Sequence, residues 1–331
     1  MYLNYNTMLK IQFIMKYCLF LFLTMGLLSL SSCTKDAEQV NNDYVKGKNR
    51  FTTLIDGDER EYFVSVPNSY DGNTAFPVVF MLHGTGGDGE RFYNISGWKE
   101  LGEIENIITV FPSSWRYCIK DDGKTKNITK WNITPDCEWY FCRGETGKDD
   151  IHFLNTVISE LTERFNIDSK RIYLVGFSNG GQMAAKCAIE MGNVLAAVAE
   201  NAGSFIIDTI YSPVRKLPVL FQVGNEDFGP GVTNPPIELS SFDSLLQTPG
   251  NVYYRIKTAH VRNFGLDSIF TISGNNQTVS IADFHSQNSN ETNVFKMVFV
   301  EGLSHQYPNG KNHWMNGAKV QWEWFKQYTL P

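Results

Sequence analysis

Hydrophobic and polar positions along the chain follow two different periods. Residues 61–67 alternate apolar with polar, while residues 76–82 and 106–111 read as near-continuous apolar runs, the latter closed by Pro112. Alternation predicts a strand with one covered face, and a short continuous run predicts a strand buried on both. Over residues 149–165 the period changes: Ile151, Leu154, Val157, Ile158, Leu161 and Phe165 recur at helical spacing behind the N-cap candidates Asp149 and Asp150. Further strands are predicted at 171–177, 195–200, 218–223 and 294–300, and helices at 180–191 and 313–328. Strands interleaved with helices predict the α/β class, with a mostly parallel, doubly wound sheet covered by helices on both faces.

The first 49 residues read differently. Lys10 and Lys16 precede an apolar run over 17–30, and Leu30-Ser31-Ser32-Cys33 follows at once. The run is shorter than the about 20 apolar residues of a comfortable membrane span, and its small terminal residues suit a signal peptidase. Residues 30–33 resemble the bacterial lipobox, whose Cys is acylated. The predicted organisation is a lipoprotein signal peptide and lipobox over 1–33 with Cys33 as lipid attachment, a polar flexible tether over 34–49, and one folded domain over 50–331. The expected location is exported, anchored through Cys33 to a bacterial membrane, at the outer membrane or cell surface.

Composition narrows the partners. The 331 residues are 42% hydrophobic and 14% aromatic, enough for one large core. The net charge is -6, and Lys and Arg are scattered rather than clustered, so nucleic acid is not an expected partner. Of six cysteines, Cys18 and Cys33 lie in the leader. Among Cys118, Cys137, Cys142 and Cys187, at least one bridge involving the first three is expected in an oxidising compartment, whereas Cys187 falls in an apolar helical stretch where a free buried thiol fits. No Cys or His pair stands at zinc spacing beside Cys137 and Cys142, and no cofactor is implied.

Gly176-Phe177-Ser178-Asn179-Gly180 matches G-x-S-x-G between a predicted strand and a predicted helix. So tight a turn admits only small residues beside the serine, which Gly176 and Gly180 supply, and it sets the Ser178 hydroxyl and the Asn179 N–H at a helix N-terminus. A second oxyanion donor is expected from His83-Gly84-Thr85-Gly86-Gly87 at the end of an early strand, with Thr85 N–H assigned to it. A serine hydroxyl needs an imidazole base and a carboxylate to orient it. Strand 218–223 leads to Gly224-Asn225-Glu226-Asp227 and strand 294–300 to Glu301-Gly302-Leu303-Ser304-His305, so Asp227 and His305 stand just beyond strand ends, where open α/β sheets build their sites. Glu226 is the rival acid and His313 the rival base; His83, His152, His260 and His285 read as structural or surface residues.

Together, the strand ending HGTGG, DDIHFLN at 149–155, RIYLVGFSNGGQMA, VGNED and GLSHQYP resemble the polyhydroxybutyrate depolymerase and feruloyl esterase group of secreted esterases, which overlaps carbohydrate esterase family one. The resemblance covers roughly residues 62–328. It implies an α/β-hydrolase fold, a serine esterase working through an acyl-enzyme, and the family's Ser, Asp and His at Ser178, Asp227 and His305. The implied substrates are feruloyl or acetyl esters on plant polysaccharide, with a polyester or short-chain ester as the alternative. A peptidase on this fold is disfavoured by the absence of an obvious propeller domain, and a glycan-binding lipoprotein without catalysis by the completeness of the constellation. Two departures stand out: an additional polar stretch at 274–293, read as a lid or a surface insertion, and Ser304 where the family more often has Gly before the His. The connection 113–148, carrying Trp115, Trp131, Trp139, Tyr140 and Phe141, is expected to be a long loop whose aromatics either stack on substrate or fill a satellite core.

Overall fold

A computed structural model describes residues 44–121, 123–135, 139–205 and 210–331. The leader, Cys33, most of the expected tether and Cys137 lie outside the described residues.

The domain begins before Arg50. Tyr44 packs its ring on Tyr70 and Phe165, with centroids 5.8 and 4.7 Å apart, and strand β1 (Gly47–Ile55) pairs antiparallel with β2 (Asp58–Val66). Residues 44–49 therefore belong to the fold and not to a tether. Their polar composition misleads because an edge strand with one wet face needs few apolar residues. The β1–β2 turn is Asp56-Gly57 with φ of 52 and 86°, the positive pair that a two-residue hairpin requires and that Asp-Gly adopts readily.

The remaining strands are β3 (Phe76–Leu82), β4 (Ile108–Pro112), β5 (Trp115–Asp121), β6 (Lys124–Lys130), β7 (Tyr140–Phe141), β8 (Ile167–Phe177), β9 (Ala197–Asn201), β10 (Val219–Gly224), β11 (Thr271–Gly274), β12 (Val279–His285) and β13 (Val294–Val300). Ten of them form one sheet in the order β1-β2-β4-β3-β8-β9-β10-β13-β12-β11. Its centre, from β4 through β13, is parallel, and antiparallel pairs close both edges. The helices are α1 (Gly89–Ile95), α2 (Trp98–Glu105), α3 (Asp150–Arg164), α4 (Asn179–Glu190), α5 (Phe242–Gln247), α6 (Val252–Phe264) and α7 (Gly317–Phe325). This is the α/β-hydrolase fold.

Strand β3 shows why the pattern gives this architecture. All seven of its residues are buried; Val78, Phe80 and Leu82 join a core with Phe153, Leu161, Met183 and Ile256 of α3, α4 and α6, while Val79 and Met81 join a second core with Phe92, Trp98, Trp322 and Phe325 of α1, α2 and α7. Each fully buried side chain of this size contributes about 1.5–3 kcal/mol, so a strand with no polar face is held only where helices cover both sides.

The 274–293 stretch is neither a lid nor a loose insertion: its central part is β12, paired antiparallel with β13 along seven residues. The 113–148 connection also differs from expectation. It folds into a second antiparallel sheet, β6-β5-β7, cross-linked by Cys118–Cys142, whose Cα atoms are 5.4 Å apart. Cys187 is a buried free thiol, and burial pushes its pKa well up, which leaves it unreactive.

Candidate active site

At the carboxyl end of β8 the chain reverses into α4 within one residue. Ser178 sits at that point with φ 55° and ψ -121°, a conformation that costs a non-glycine residue of order 1–3 kcal/mol and persists only where its surroundings enforce it. The surroundings do: a Cβ on Gly176 would lie 1.9 Å from Gly180 O, and one on Gly203 would lie 2.0 Å from Ser178 O. Ser178 N–H donates to Asn201 O at 2.7 Å and Gln182 N–H to Ser178 O at 3.0 Å, fixing the turn to β9 on one side and α4 on the other.

His305 meets this serine. Its Nε2 lies 2.9 Å from Ser178 Oγ, and its Nδ1 lies 2.9 and 3.1 Å from the two Asp227 carboxylate oxygens. Since the carboxylate accepts, Nδ1 carries the proton and Nε2 is left to take one from the hydroxyl. Asp227 also accepts from Gly229 N–H at 3.0 Å, and it is 5% exposed against 14% for His305. The rival groups are elsewhere: His313 donates through Nε2 to Glu301 O and accepts from Met315 N–H, which uses both ring nitrogens, and the carboxylate that pairs with His305 is Asp227, not Glu226.

Two loops carry the acid and the base, and Asn225 joins them, a buried residue that the sequence pattern did not single out. Its side chain accepts from Gly302 N–H at 2.8 Å and donates to Glu301 and to Ile237 O, while its own N–H reaches Val300 O.

Gly84 runs directly behind the nucleophile, where an added Cβ would come within 3.1 Å of Ser178 Cβ. Thr85 and Asn179 line the same cleft as Ser178 and His305. This loop is pinned by His83, fully buried, whose Nδ1–H donates to Gly84 O at 2.7 Å and whose Nε2 accepts from Ser114 N–H at 3.0 Å. Burial lowers the His83 pKa to about 4, so the ring stays neutral. Trp131 completes the support: its indole N–H donates to His83 O at 2.8 Å and its backbone N–H to Asn179 Oδ1 at 2.7 Å. Next to it Asn132 N–H donates to Asp150, which pairs with the buried Arg60 at 2.7 Å. Of the aromatics in the 113–148 connection, Trp131 is thus a brace, Trp139 lines the cleft, and Tyr140 is exposed.

The cleft has two lobes that meet at His305, Gln182, Ala202 and Gly229. One, of about 650 Å³, is walled by the small sheet through Asp121, Lys126, Ile128 and Trp139. The other, of about 550 Å³, is walled by Phe205, Val223, Phe228, Val232, Tyr253 and Ile256. Among the described residues no group of three or more His, Cys, Asp or Glu side chains stands as metal ligands would.

Residues 54–327 match the family model described as "Putative esterase". The chain belongs to this esterase family. Feruloyl esterase B of Piromyces equi is 26% identical over 172 residues, which are 51% of this chain and 29% of that protein. The bifunctional acetylxylan esterase/xylanase XynS20E of Neocallimastix patriciarum is 25% identical over 171 residues, 52% of this chain and 22% of that protein. The matched region therefore spans less than a third of the length of either relative. Among solved structures, the acetyl xylan esterase from Aspergillus awamori superposes with a TM-score of 0.53 at 17% identity, covering 84% of this chain and 99% of that one, a likeness of fold.

Proposed function

We propose that the protein is a serine hydrolase of carboxylic esters, acting on feruloyl or acetyl esters of plant polysaccharide from a lipid anchor at Cys33. The observation that carries the reading is the unbroken line Ser178 Oγ, His305 Nε2, His305 Nδ1, Asp227 at 2.9 Å per step, opening on a cleft. In this reading Ser178 Oγ attacks the ester carbonyl while His305 Nε2 takes its proton, and Asp227 holds the imidazole and the charge it gains. The oxyanion is met by Thr85 and Asn179 N–H, each donor of this kind being worth about 10²–10³ in rate. Collapse breaks the ester C–O bond, and His305 returns the proton to the departing alkoxide. Water, deprotonated by the same imidazole, then attacks the acyl carbon, and the bond to Ser178 Oγ breaks as His305 returns the proton to that oxygen.

The two-lobed cleft supports a substrate with unlike halves. Apolar walls at Phe205, Phe228 and Tyr253 suit an acyl group, and Asp121, Lys126 and Trp139 offer a sugar hydrogen bonds and a ring face. The names of the two relatives support a phenolic or acetyl ester on a glycan. A polyester or short aliphatic ester is the second reading, favoured by the same apolar lobe, which accepts an alkyl chain equally well.

The test compares hydrolysis of methyl ferulate and p-nitrophenyl acetate by the protein lacking its leader, with Ser178→Ala as control. Ser178-dependent ferulate release is the expected result. Acetate cleavage alone returns the substrate to the short-chain alternative, and failure of a fluorophosphonate to modify Ser178 in folded protein overturns the hydrolase reading. Mass spectrometry of the mature N-terminus tests acylation of Cys33.

A further inference from the structure

Beneath the nucleophile, on the face covered by α1, α2 and α7, four buried side chains form a continuous hydrogen-bonded line. Trp98 Nε1–H donates to Tyr307 Oη at 2.8 Å, Tyr307 O–H to Gln321 Oε1 at 2.8 Å, Gln321 Nε2–H to Asn201 Oδ1 at 2.5 Å, and Asn201 Nδ2–H to Gly176 O at 3.0 Å. Exposure along the line does not exceed 5%. Its polarity is set at both ends, because an indole only donates and a carbonyl only accepts. Trp98 forces the Tyr307 proton toward Gln321, which turns the Gln321 amide so that its nitrogen faces Asn201, which in turn aims the Asn201 nitrogen at Gly176. No other orientation of the two amides leaves every member satisfied.

The line reaches the surroundings of both Ser178 and His305. Asn201 holds the elbow twice, by its side chain to Gly176 O and by its carbonyl from Ser178 N–H. Tyr307 lies two residues beyond His305, and its ring meets Phe177 edge-on at 6.4 Å while Phe177 lies tilted against the His305 ring at 5.2 Å. Gln321, on a helix that gives neither lobe of the cleft a lining residue, bonds to both, the one side chain among the described residues that does so.

Resting on the hydrolase reading above, we propose that Gln321 is a positioning residue: through Tyr307 and Asn201 it sets the separation of His305 from Ser178. Buried, fully satisfied polar lines of this kind define one geometry, whereas an apolar replacement leaves two unpaired partners free to shift.

The experiment measures ester hydrolysis per active site, titrated with a fluorophosphonate, for the wild type, Gln321→Leu, Tyr307→Phe and the double variant, with Leu161→Ala in α3 as an equally buried change remote from the line. Displacements of an ångström at a reacting pair cost about 10²-fold. The expected result is a fall of about 10- to 100-fold in kcat per titrated site with KM within about twofold. The double variant should be no worse than Gln321→Leu, since one line is broken once. Leu161→Ala should lower Tm but leave kcat per site unchanged. Tyr307→Phe removes a single oxygen and keeps the ring, so it carries the test if Gln321→Leu does not fold. Unchanged kcat per site in Tyr307→Phe, or additive losses in the double variant, overturns the proposal. A wild type that neither turns over ester nor takes the label overturns the hydrolase reading, and this one with it.

Discussion

Among the described residues two histidine–carboxylate pairs lie within hydrogen-bonding distance, beside a looser and exposed His152–Asp56 pair at 3.7 Å, and the two differ in what the second ring nitrogen faces. In the cleft, His305 gives Nδ1 to Asp227 and keeps Nε2 for Ser178. Under the apolar lobe, His260 gives Nε2 to Glu200 at 3.1 Å and spends Nδ1 on Ile256 O of its own helix at 2.8 Å. His260 and Glu200 are wholly buried, and the imidazole lies flat on Phe295 at 3.9 Å between centroids. With both nitrogens committed and no route to solvent, this pair ties α6 to β9 and cannot exchange a proton with a substrate. A carboxylate beside an imidazole is therefore not itself a sign of catalysis; the deciding features are an uncommitted nitrogen, a hydroxyl within reach of it, and an opening.

Substitutions should separate the two pairs, the cleft losing chemistry and the buried pair losing stability. The largest effect expected is from Ser178→Ala, which should lower kcat by about 10⁶-fold with no fall in Tm, checked by ester turnover beside thermal denaturation. Asp227→Asn should cost about 10⁴-fold in kcat, since the amide favours the wrong imidazole tautomer, again with the protein folded. His260→Ala should do the reverse. It strands Glu200 in the core and leaves a cavity, so a loss of about 3–5 kcal/mol is expected in denaturant unfolding, with turnover per titrated site retained.

A third histidine sharpens the contrast through pH. His83 binds its proton less readily in the folded chain, at about 4, than in the unfolded chain, where an unperturbed His titrates near ~6.5. Between these values the unfolded state holds more protons, so stability rises with pH across this window and is lost as pH falls through it. The full difference is on the order of 3 kcal/mol. Unfolding midpoints measured from pH 7 to pH 4 should show the decline, and His83→Gln should flatten it.

Much of the cleft was legible because its chemistry is local. The elbow is five consecutive residues, and Asp227 and His305 follow apolar runs short enough to read as strands, so the order strand, loop, reactive residue could be followed along the chain. What escaped was whatever depends on pairing at a distance. The pattern predicts no strand at β1, whose first three residues fall in the expected tether over 34–49, although Asp56-Gly57 announces its hairpin. Strands β5 and β6 carry Lys, Asn and Thr on a wet face, which blurs the period of 2, and the cross-link that ties β5 to the end of β7 joins partners 24 residues apart. Asn201, Asn225 and Gln321 gave no signal, because an amide in a helix or at a strand end looks the same in sequence whether it is solvated or buried. The match to feruloyl and acetylxylan esterases agrees with one part of the resemblance read from the motifs.

The small sheet leaves a different kind of mark. It leaves the main chain after β4 and returns at α3, braced to the rest by Trp131, the Asn132–Asp150 contact and Gly86 N–H on Thr129 O, while no member of the Ser178, His305, Asp227 set comes from it. Asp121, Lys126 and Ile128 face the cleft from it, and none of their side chains takes part in that brace. One wall of the cleft is thus separable in sequence from the Ser178–His305–Asp227 line, and a designer wishing to reshape that wall would begin with those three positions and leave Trp131 alone.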